Sequence, residues 1–289
     1  MKGIILAGGT GSRLFPITWG ASKQLLPVYD KPLIYYPLNT LMTMGVREIL
    51  LISDEASLPS FQRLLGNGKD LGISLQYAVQ NAPNGIAEAL IIGEKWLNQE
   101  PCVLILGDNI FYGSILFEHL SSINPNHFQG ALSFALKVPN PQRFGVVQFN
   151  NDKVVDIIEK PKIPPSDYAI AGIYVLDGKA ARLAKTLTPS SRNELEITDL
   201  QKLYLKNNQL KVCLLPDDFV WFDTGTAHSL WQACQWVYEN EQKLNKKIGS
   251  VELTAHQNGW ISGEQLKKRA EKMKNSEYGQ FLWQHIQAA

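Results

Sequence analysis

Residues 6–16 read Leu-Ala-Gly-Gly-Thr-Gly-Ser-Arg-Leu-Phe-Pro and place three glycines in four positions after a short apolar run. Gly8, Gly9 and Gly11 let backbone N–H groups close around an anion with no Cβ in the way. A tight turn with no ligand would use the same residues. Arg13 ends the turn, and ten residues on comes Ser22-Lys23-Gln24-Leu25-Leu26-Pro27. A guanidinium fork and an ammonium point charge beside a glycine nest suit a polyphosphate. Two acids stand at other strand ends: Asp108 in Leu106-Gly107-Asp108-Asn109, and Asp223 in Trp221-Phe222-Asp223-Thr224-Gly225-Thr226. Each reads equally as a turn or helix-cap residue. Together they could hold one Mg²⁺, which takes one or two carboxylates plus substrate phosphates. The dinucleotide fingerprint fails, because Leu14 stands where its third glycine belongs, and no Gly-Lys-Ser/Thr follows to make a Walker A loop.

These residues need a scaffold that brings strand ends together. Residues 3–7, 48–52, 73–79 and 102–106 are strand-like; the first and fourth are continuous apolar runs, and the second is apolar from Ile49 on. Helical spacing recurs over 33–44, with Pro37 in its first turn and Gly45 as its stop, over 57–65 with Ser57 as cap and Gly66 as stop, and over 86–97. Alternating strand and helix predict an α/β fold with a mostly parallel, Rossmann-like sheet flanked by helices. Ligands of such sheets lie beyond the carboxyl ends of the strands, which singles out the loops after Ala7, Val79 and Leu106. After Gly130 the pattern changes. Strands over 131–138, 145–149 and 154–158 with short links predict a small antiparallel insertion. Further strands are expected over 170–176 and 209–215, and helices over 194–206, with Glu194 and Glu196 in the first turn, and over 226–247, with Leu230, Ala233, Val237 and Leu244 on one side. Residues 262–286 read as two more helices, carrying Lys267-Lys268-Arg269 on a solvated face. The expected organisation is one domain over 1–289: a core to about 240, then a C-terminal helical appendage.

Composition narrows the function classes. The 289 residues carry 28 Lys+Arg and 27 Asp+Glu, a net charge of +1, so bulk electrostatics give no reason to expect a nucleic-acid partner. The apolar share of 45% argues against a largely disordered chain. No run of about 18 apolar residues predicts a membrane span. Cys102, Cys213 and Cys234 are odd in number and widely spaced, which fits reduced, cytoplasmic chemistry rather than a disulfide framework. His119, His127, His228, His256 and His285 fall in none of the motifs, and no Ser-His-Asp or Cys-His arrangement stands out.

Seven motifs follow one another in order: Gly8–Arg13, Ser22–Pro27, Gly107-Asp108-Asn109, Arg143-Phe144-Gly145-Val146, Glu159-Lys160-Pro161, Glu194-Leu195-Glu196-Ile197-Thr198-Asp199 and Trp221–Thr226. In this the chain resembles the bacterial sugar nucleotidyltransferases, and within them the branch that transfers a thymidylyl group. The resemblance implies conversion of dTTP and α-D-glucose 1-phosphate into dTDP-glucose and pyrophosphate. It implies Mg²⁺ on Asp108 and Asp223, and the triphosphate on the backbone of Gly8, Gly9, Gly11 and Ser12. Arg13 would grip the departing pyrophosphate, Lys23 would sit near the α-phosphate, and Gln80 and the backbone near Gly85 would read the base. Asn109, Gly145, Glu159 and the strand around Ile170, Ala171 and Gly172 would meet the sugar, and Lys160 its phosphate. A homotetramer with feedback by a dTDP-sugar at a second site is implied too. The aromatic C-terminal residues Trp260, Tyr278, Phe281 and Trp283 could serve an interface or pack on their own domain. Two departures from the family pattern stand out, Trp19-Gly20 and the base-binding segment Pro83-Asn84-Gly85-Ile86-Ala87-Glu88, where Pro-Asp-Gly-Leu-Ala-Gln is usual. UTP- or CTP-dependent transfer and a catalytically silent nucleotide-binding module are the rival expectations.

Overall fold

The computed structural model describes residues 1–121, 123–124 and 127–288. The strands are β1 (Lys2–Leu6), β2 (Pro27–Val28), β3 (Lys31–Pro32), β4 (Glu48–Ser53), β5 (Ser74–Val79), β6 (Cys102–Leu106), β7 (Asn109–Tyr112), β8 (Ala131–Lys137), β9 (Gly145–Asn150), β10 (Lys153–Glu159), β11 (Tyr168–Leu176), β12 (Leu210–Leu214) and β13 (Val220–Asp223). The helices are α1 (Tyr35–Thr43), α2 (Leu58–Leu65), α3 (Glu88–Ile92), α4 (Glu94–Leu97), α5 (Ser114–Ser121), α6 (Ala180–Ala184), α7 (Ile197–Lys206), α8 (Ala227–Leu244), α9 (Val251–Gln257), α10 (Gly263–Lys272) and α11 (Glu277–Ala288).

Among the described residues nine strands share one sheet, with the path β10-β9-β11-β6-β1-β4-β5, β8 branching from β11 and β12 pairing with β8. β6, β1, β4 and β5 run parallel. The central strands β1, β4 and β6 are largely apolar because both faces are covered, whereas the edge strand β5 carries Ser74 and Gln76. Ile5 packs on one side with α1 and the C-terminal helices, and Ile4 packs on the other with α3, α6 and α7. The antiparallel strands expected after Gly130 are present, but they hydrogen-bond into this same sheet through β11. Two short ribbons, β2/β3 and β7/β13, carry too little pattern to be read from sequence.

Several boundaries differ from expectation for identifiable reasons. The 86–97 segment is two short helices meeting at Gly93, which lies close to Ile4 and Leu50 of the sheet. Ser57 does not cap α2 with its side chain; instead Asp54 Oδ1 accepts from the Ser57 N–H at 2.9 Å. α7 starts only at Ile197, because Glu196 is extended and Arg192 draws Glu194 and Glu196 to itself. α8 begins with a capping box between Thr226 and Ser229 and buries Leu230, Ala233 and Val237, whereas Leu244 is exposed.

The C-terminal helices join the core. Val251, Leu253 and Ala255 of α9, Leu266 and Ala270 of α10, and Tyr278 and Leu282 of α11 belong to the same buried cluster as Leu38 and Leu41 of α1. Trp260, Phe281 and Trp283 are half-buried against it. Helix α9, absent from the sequence expectation, carries the buried Glu252, which accepts from Arg269 at 2.8 Å and from the Tyr278 hydroxyl at 2.5 Å. Arg269 therefore turns inward, unlike the solvated face expected for Lys267-Lys268-Arg269. Removing one partner of a buried ion pair strands the other charge and costs about 3–5 kcal/mol. Arg269→Ala is accordingly expected to lower the urea midpoint with an unchanged m-value; an unaltered midpoint would mean that Glu252 does not depend on Arg269.

Candidate active site

Gly107 closes against β1, its N–H donating to Leu6 O at 2.8 Å, and Asp108 follows at the sheet's carboxyl edge. The chain then turns into β7, which pairs antiparallel with β13 so that Asn109 faces Asp223 in register. Thr224 locks the crossing, with its hydroxyl and its N–H both donating to Asp108 O, at 2.8 and 3.2 Å. Two acids from distant motifs thus arrive side by side. Each has a cation: Lys23 Nζ contacts Asp108 Oδ2, and Arg143 Nη2 lies 3.0 Å from Asp223 Oδ2. Asn109 Nδ2 donates to Asp108 Oδ1 at 2.9 Å, and Trp221 Nε1–H donates to Asn109 Oδ1 at 2.6 Å. Burial first, then the charge of Asp108, pushes the Asp223 carboxyl above the usual carboxylate range, against the pull of Lys23, Arg143 and Arg13.

The glycine turn stands opposite. Gly9 (φ +107°) and Gly11 (φ +59°) take backbone conformations that L side chains rarely adopt. A one-turn helix at Ser12–Leu14 buries Leu14 and leaves Arg13 exposed. A Cβ on Gly225 would lie 2.8 Å from Arg13 Nη2, so the guanidinium runs along the loop after Asp223. Gln24 Nε2 donates to Gly8 O at 3.3 Å, folding the Lys23 segment back over the turn.

Two clefts flank this assembly. One, of about 500 Å³, is lined by Gly9, Thr10, Ser22, Gln80 and Pro83 among others. The second, of about 390 Å³, contains Arg13, Asp108 and Asp223. It also contains Asn109, Gly145, Glu159, Lys160 and Ile170, so the residues expected to meet a sugar phosphate converge. Ala171 does not: it is fully buried in the core on the opposite sheet face from Ile170. Side chains alternate along β11, so the expected Ile170 and Gly172 line the cleft, together with Tyr174. Glu159 is flanked by Lys160 at 3.5 Å and Arg192 at 3.1 Å; burial raises its carboxyl while Lys160 opposes the shift. Gly85 (φ +107°) is pressed against the Leu195 backbone, and its carbonyl accepts from Gln80 Nε2 at 3.3 Å.

Arg143, Arg192, Trp221 and Thr224 are site residues that sequence reasoning did not single out. Arg143, Trp221 and Thr224 lay inside recognised motifs, but their partners Asp223, Asn109 and Asp108 stand 80, 112 and 116 residues away. His127, His228, His256 and His285 line neither cleft. The side chain of His119 lies outside the described residues. Among the described residues no cluster of three or more His, Cys, Asp or Glu side chains suits a metal. The pair Asp108 and Asp223 still fits a hard divalent cation that fills its shell with water and phosphate oxygens, and the two ammonium and guanidinium groups now neutralise that same pair.

A sheet with two clefts of about 500 and 390 Å³ at its carboxyl edge, a glycine turn and a paired-acid centre fits a nucleotide-handling enzyme. The chain belongs to the nucleotidyl transferase family, whose model matches residues 2–240. Its relatives bear a narrower name. Glucose-1-phosphate thymidylyltransferase of Neisseria meningitidis is 50% identical over 283 residues, covering 98% of each chain. The enzyme of that name from Mycolicibacterium smegmatis is 47% identical over 285 residues, again covering 98% of each. Among solved structures, a Bacillus anthracis protein described as a glucose-1-phosphate thymidylyltransferase, in complex with a sucrose, matches with a TM-score of 0.75 and 42% identity, covering 82% of this chain and 94% of the other. A UDP-glucose pyrophosphorylase complexed with UDP-glucose matches at a TM-score of 0.73 and 23% identity, covering 83% and 98%, and so shares the fold.

A Cβ at position 172 would collide with Asn109 Oδ1. Gly172→Ala is therefore expected to displace Asn109 and reduce nucleotidyl transfer on the order of 10²-fold, as misplacement by about an ångström can. Steady-state kinetics beside an unchanged circular dichroism spectrum would show it; wild-type turnover would mean that Asn109 does not orient the centre.

Proposed function

We propose that this protein transfers a thymidylyl group from dTTP to α-D-glucose 1-phosphate, giving dTDP-glucose and pyrophosphate. The observation that carries the proposal is the placing of Arg13, Asp108 and Asp223 in the cleft that also holds Glu159 and Lys160, with the glycine turn and Gln80 opening to the other cleft. The names of the full-length relatives support the choice of substrates.

The roles follow from the chemistry of each group. Gly8, Gly9, Gly11 and Ser12 offer backbone N–H groups to the triphosphate, and Gln80 with the backbone at Gly85 reads the base. Asn109, Gly145, Glu159 and Ile170, together with Gly172, surround the sugar, and Lys160 holds its phosphate. A phosphate monoester has its second pKa near about 6, so its oxygen attacks the α-phosphorus in line without a general base. Lys23 stabilises charge at the α-phosphate, and Arg13 takes the negative charge of the leaving pyrophosphate. Asp108 and Asp223 would hold Mg²⁺, which screens the repulsion between the two phosphate chains. On binding, Lys23 and Arg143 pass from the acids to phosphate oxygens, so the cations that now balance the carboxylates become substrate ligands.

The same reading takes the enzyme to be a cytoplasmic homotetramer answering to a dTDP-sugar at a second site. Its support is the exposed Trp231 and Tyr238 on α8, apolar surface available for contact with another copy.

Pyrophosphate release measured with dTTP, UTP, dCTP and ATP against glucose 1-phosphate tests the proposal. dTTP should give the highest kcat/KM; a faster rate with another nucleotide, or dTTP binding without turnover, would refute it. Asp108→Asn, Asp223→Asn and Arg13→Ala should each cost about 10²–10³ in kcat, the loss usual for one preorganised electrostatic contact. Undiminished pyrophosphate release by Asp108→Asn would remove the metal assignment.

A further inference from the structure

Gln80 follows β5 at the sheet's carboxyl edge and is held there by its N–H, which donates to Ser53 O at 2.8 Å. Its side chain is 6% exposed, yet it lines the larger cleft. The amide nitrogen has two acceptors, Glu88 Oε2 at 2.7 Å and Gly85 O at 3.3 Å. Neither partner can donate in return: an ionised carboxylate and a carbonyl only accept. The amide orientation is therefore dictated, with Nε2 toward α3 and Oε1 away from it. Oε1 lies over the glycine turn, 2.9 Å from where a Cβ on Gly8 would stand. Glu88 is itself steadied from its other oxygen, where Asn84 Nδ2 donates to Oε1 at 2.9 Å.

We infer that Glu88 is a specificity-positioning residue, which locks Gln80 so that only an acceptor faces the nucleobase. The inference rests on the proposed reading of the base by Gln80. Its consequence is electronic selection between pyrimidines. Thymine and uracil carry an N3–H donor on their pairing edge. Cytosine carries an unprotonated N3 there, an acceptor that would meet Oε1 acceptor to acceptor. A buried polar group left facing a like group loses its hydrogen bond and keeps its desolvation penalty. A residue at position 88 that could donate as well as accept would loosen this lock only in part, because an amide can turn either face to its partner while Gly85 O still accepts from Nε2. The acid at 88 and the amide at 84, where Gln and Asp are usual in the resembled family, place the acceptor-only group next to Gln80 itself.

The ratio of kcat/KM for dTTP to that for dCTP, with glucose 1-phosphate and Mg²⁺, tests this in the full chain. Glu88→Ala should lower the ratio about tenfold through the KM for dTTP, the effect of one hydrogen bond. Glu88→Gln keeps an oxygen that can accept and should recover part of the selectivity, giving the order Glu, Gln, Ala. A general packing role for Glu88 would instead lower turnover with both nucleotides alike. Gln80→Ala is run beside them. If Gln80→Ala loses selectivity while Glu88→Ala and Glu88→Gln keep the wild-type ratio, the positioning role is wrong and the reading of the base by Gln80 stands. If Gln80→Ala also keeps the ratio, the reading of the base by Gln80 fails and the inference fails with it.

Discussion

The site is organised around the closeness of two carboxylates that repel one another. The β7/β13 pairing puts Asp223 beside Asn109, and the Thr224 hydroxyl pins the backbone of Asp108, so neither acid can retreat. Like charges forced together in a partly buried place need compensation, and burial together with Asp108 raises the Asp223 carboxyl. Lys23 and Arg143 supply that compensation in the structure described. The same tension explains why four cationic side chains, those of Arg13, Lys23, Arg143 and Lys160, come from four separate segments of the chain to one small region.

The fold supplies the rigidity that this arrangement needs. β6 and β1 are fully enclosed by helices on both faces, so the loops leaving them at Leu6 and Leu106 start from fixed points. Gly107 sits within 3.0 Å of Leu6 O for an added Cβ, which lets the acid-bearing turn lie flat against the glycine-bearing turn. β11 serves as the hinge between the parallel and antiparallel parts, pairing with β6, β8 and β9, and carries Ile170 and Gly172 to the second cleft. The buried pairing of Glu252 with Arg269 and Tyr278 fastens the C-terminal helices behind α1, on the sheet face away from α3, α6 and α7.

Much of this was legible in the sequence where the signal is local and repeated. The apolar runs at 3–7 and 102–106 gave the parallel strands nearly to the residue, and the glycine turn, Lys23, Asp108 and Asp223 were visible as motifs. What escaped was pairing at a distance. Asn109–Tyr112 and Val220–Asp223 are too short to read as partners, yet their register brings the acids together. Arg143 and Arg192 have ordinary neighbours, and only the fold reveals their carboxylate partners. Ala171 turns to the sheet face opposite Ile170, because side chains alternate along a strand, and sequence alone does not say which face holds the cleft. Helix α9 was missed because it is only seven residues long.

The proposed function has Asp108 and Asp223 share one divalent cation beside a nucleoside triphosphate. The most direct measurement is an anomalous difference map from crystals grown with Mn²⁺ and a non-hydrolysable dTTP analogue. A single strong peak bridging both carboxylates and the triphosphate is the predicted result. A map with the nucleotide bound but its metal coordinated by neither Asp108 nor Asp223 would contradict the account.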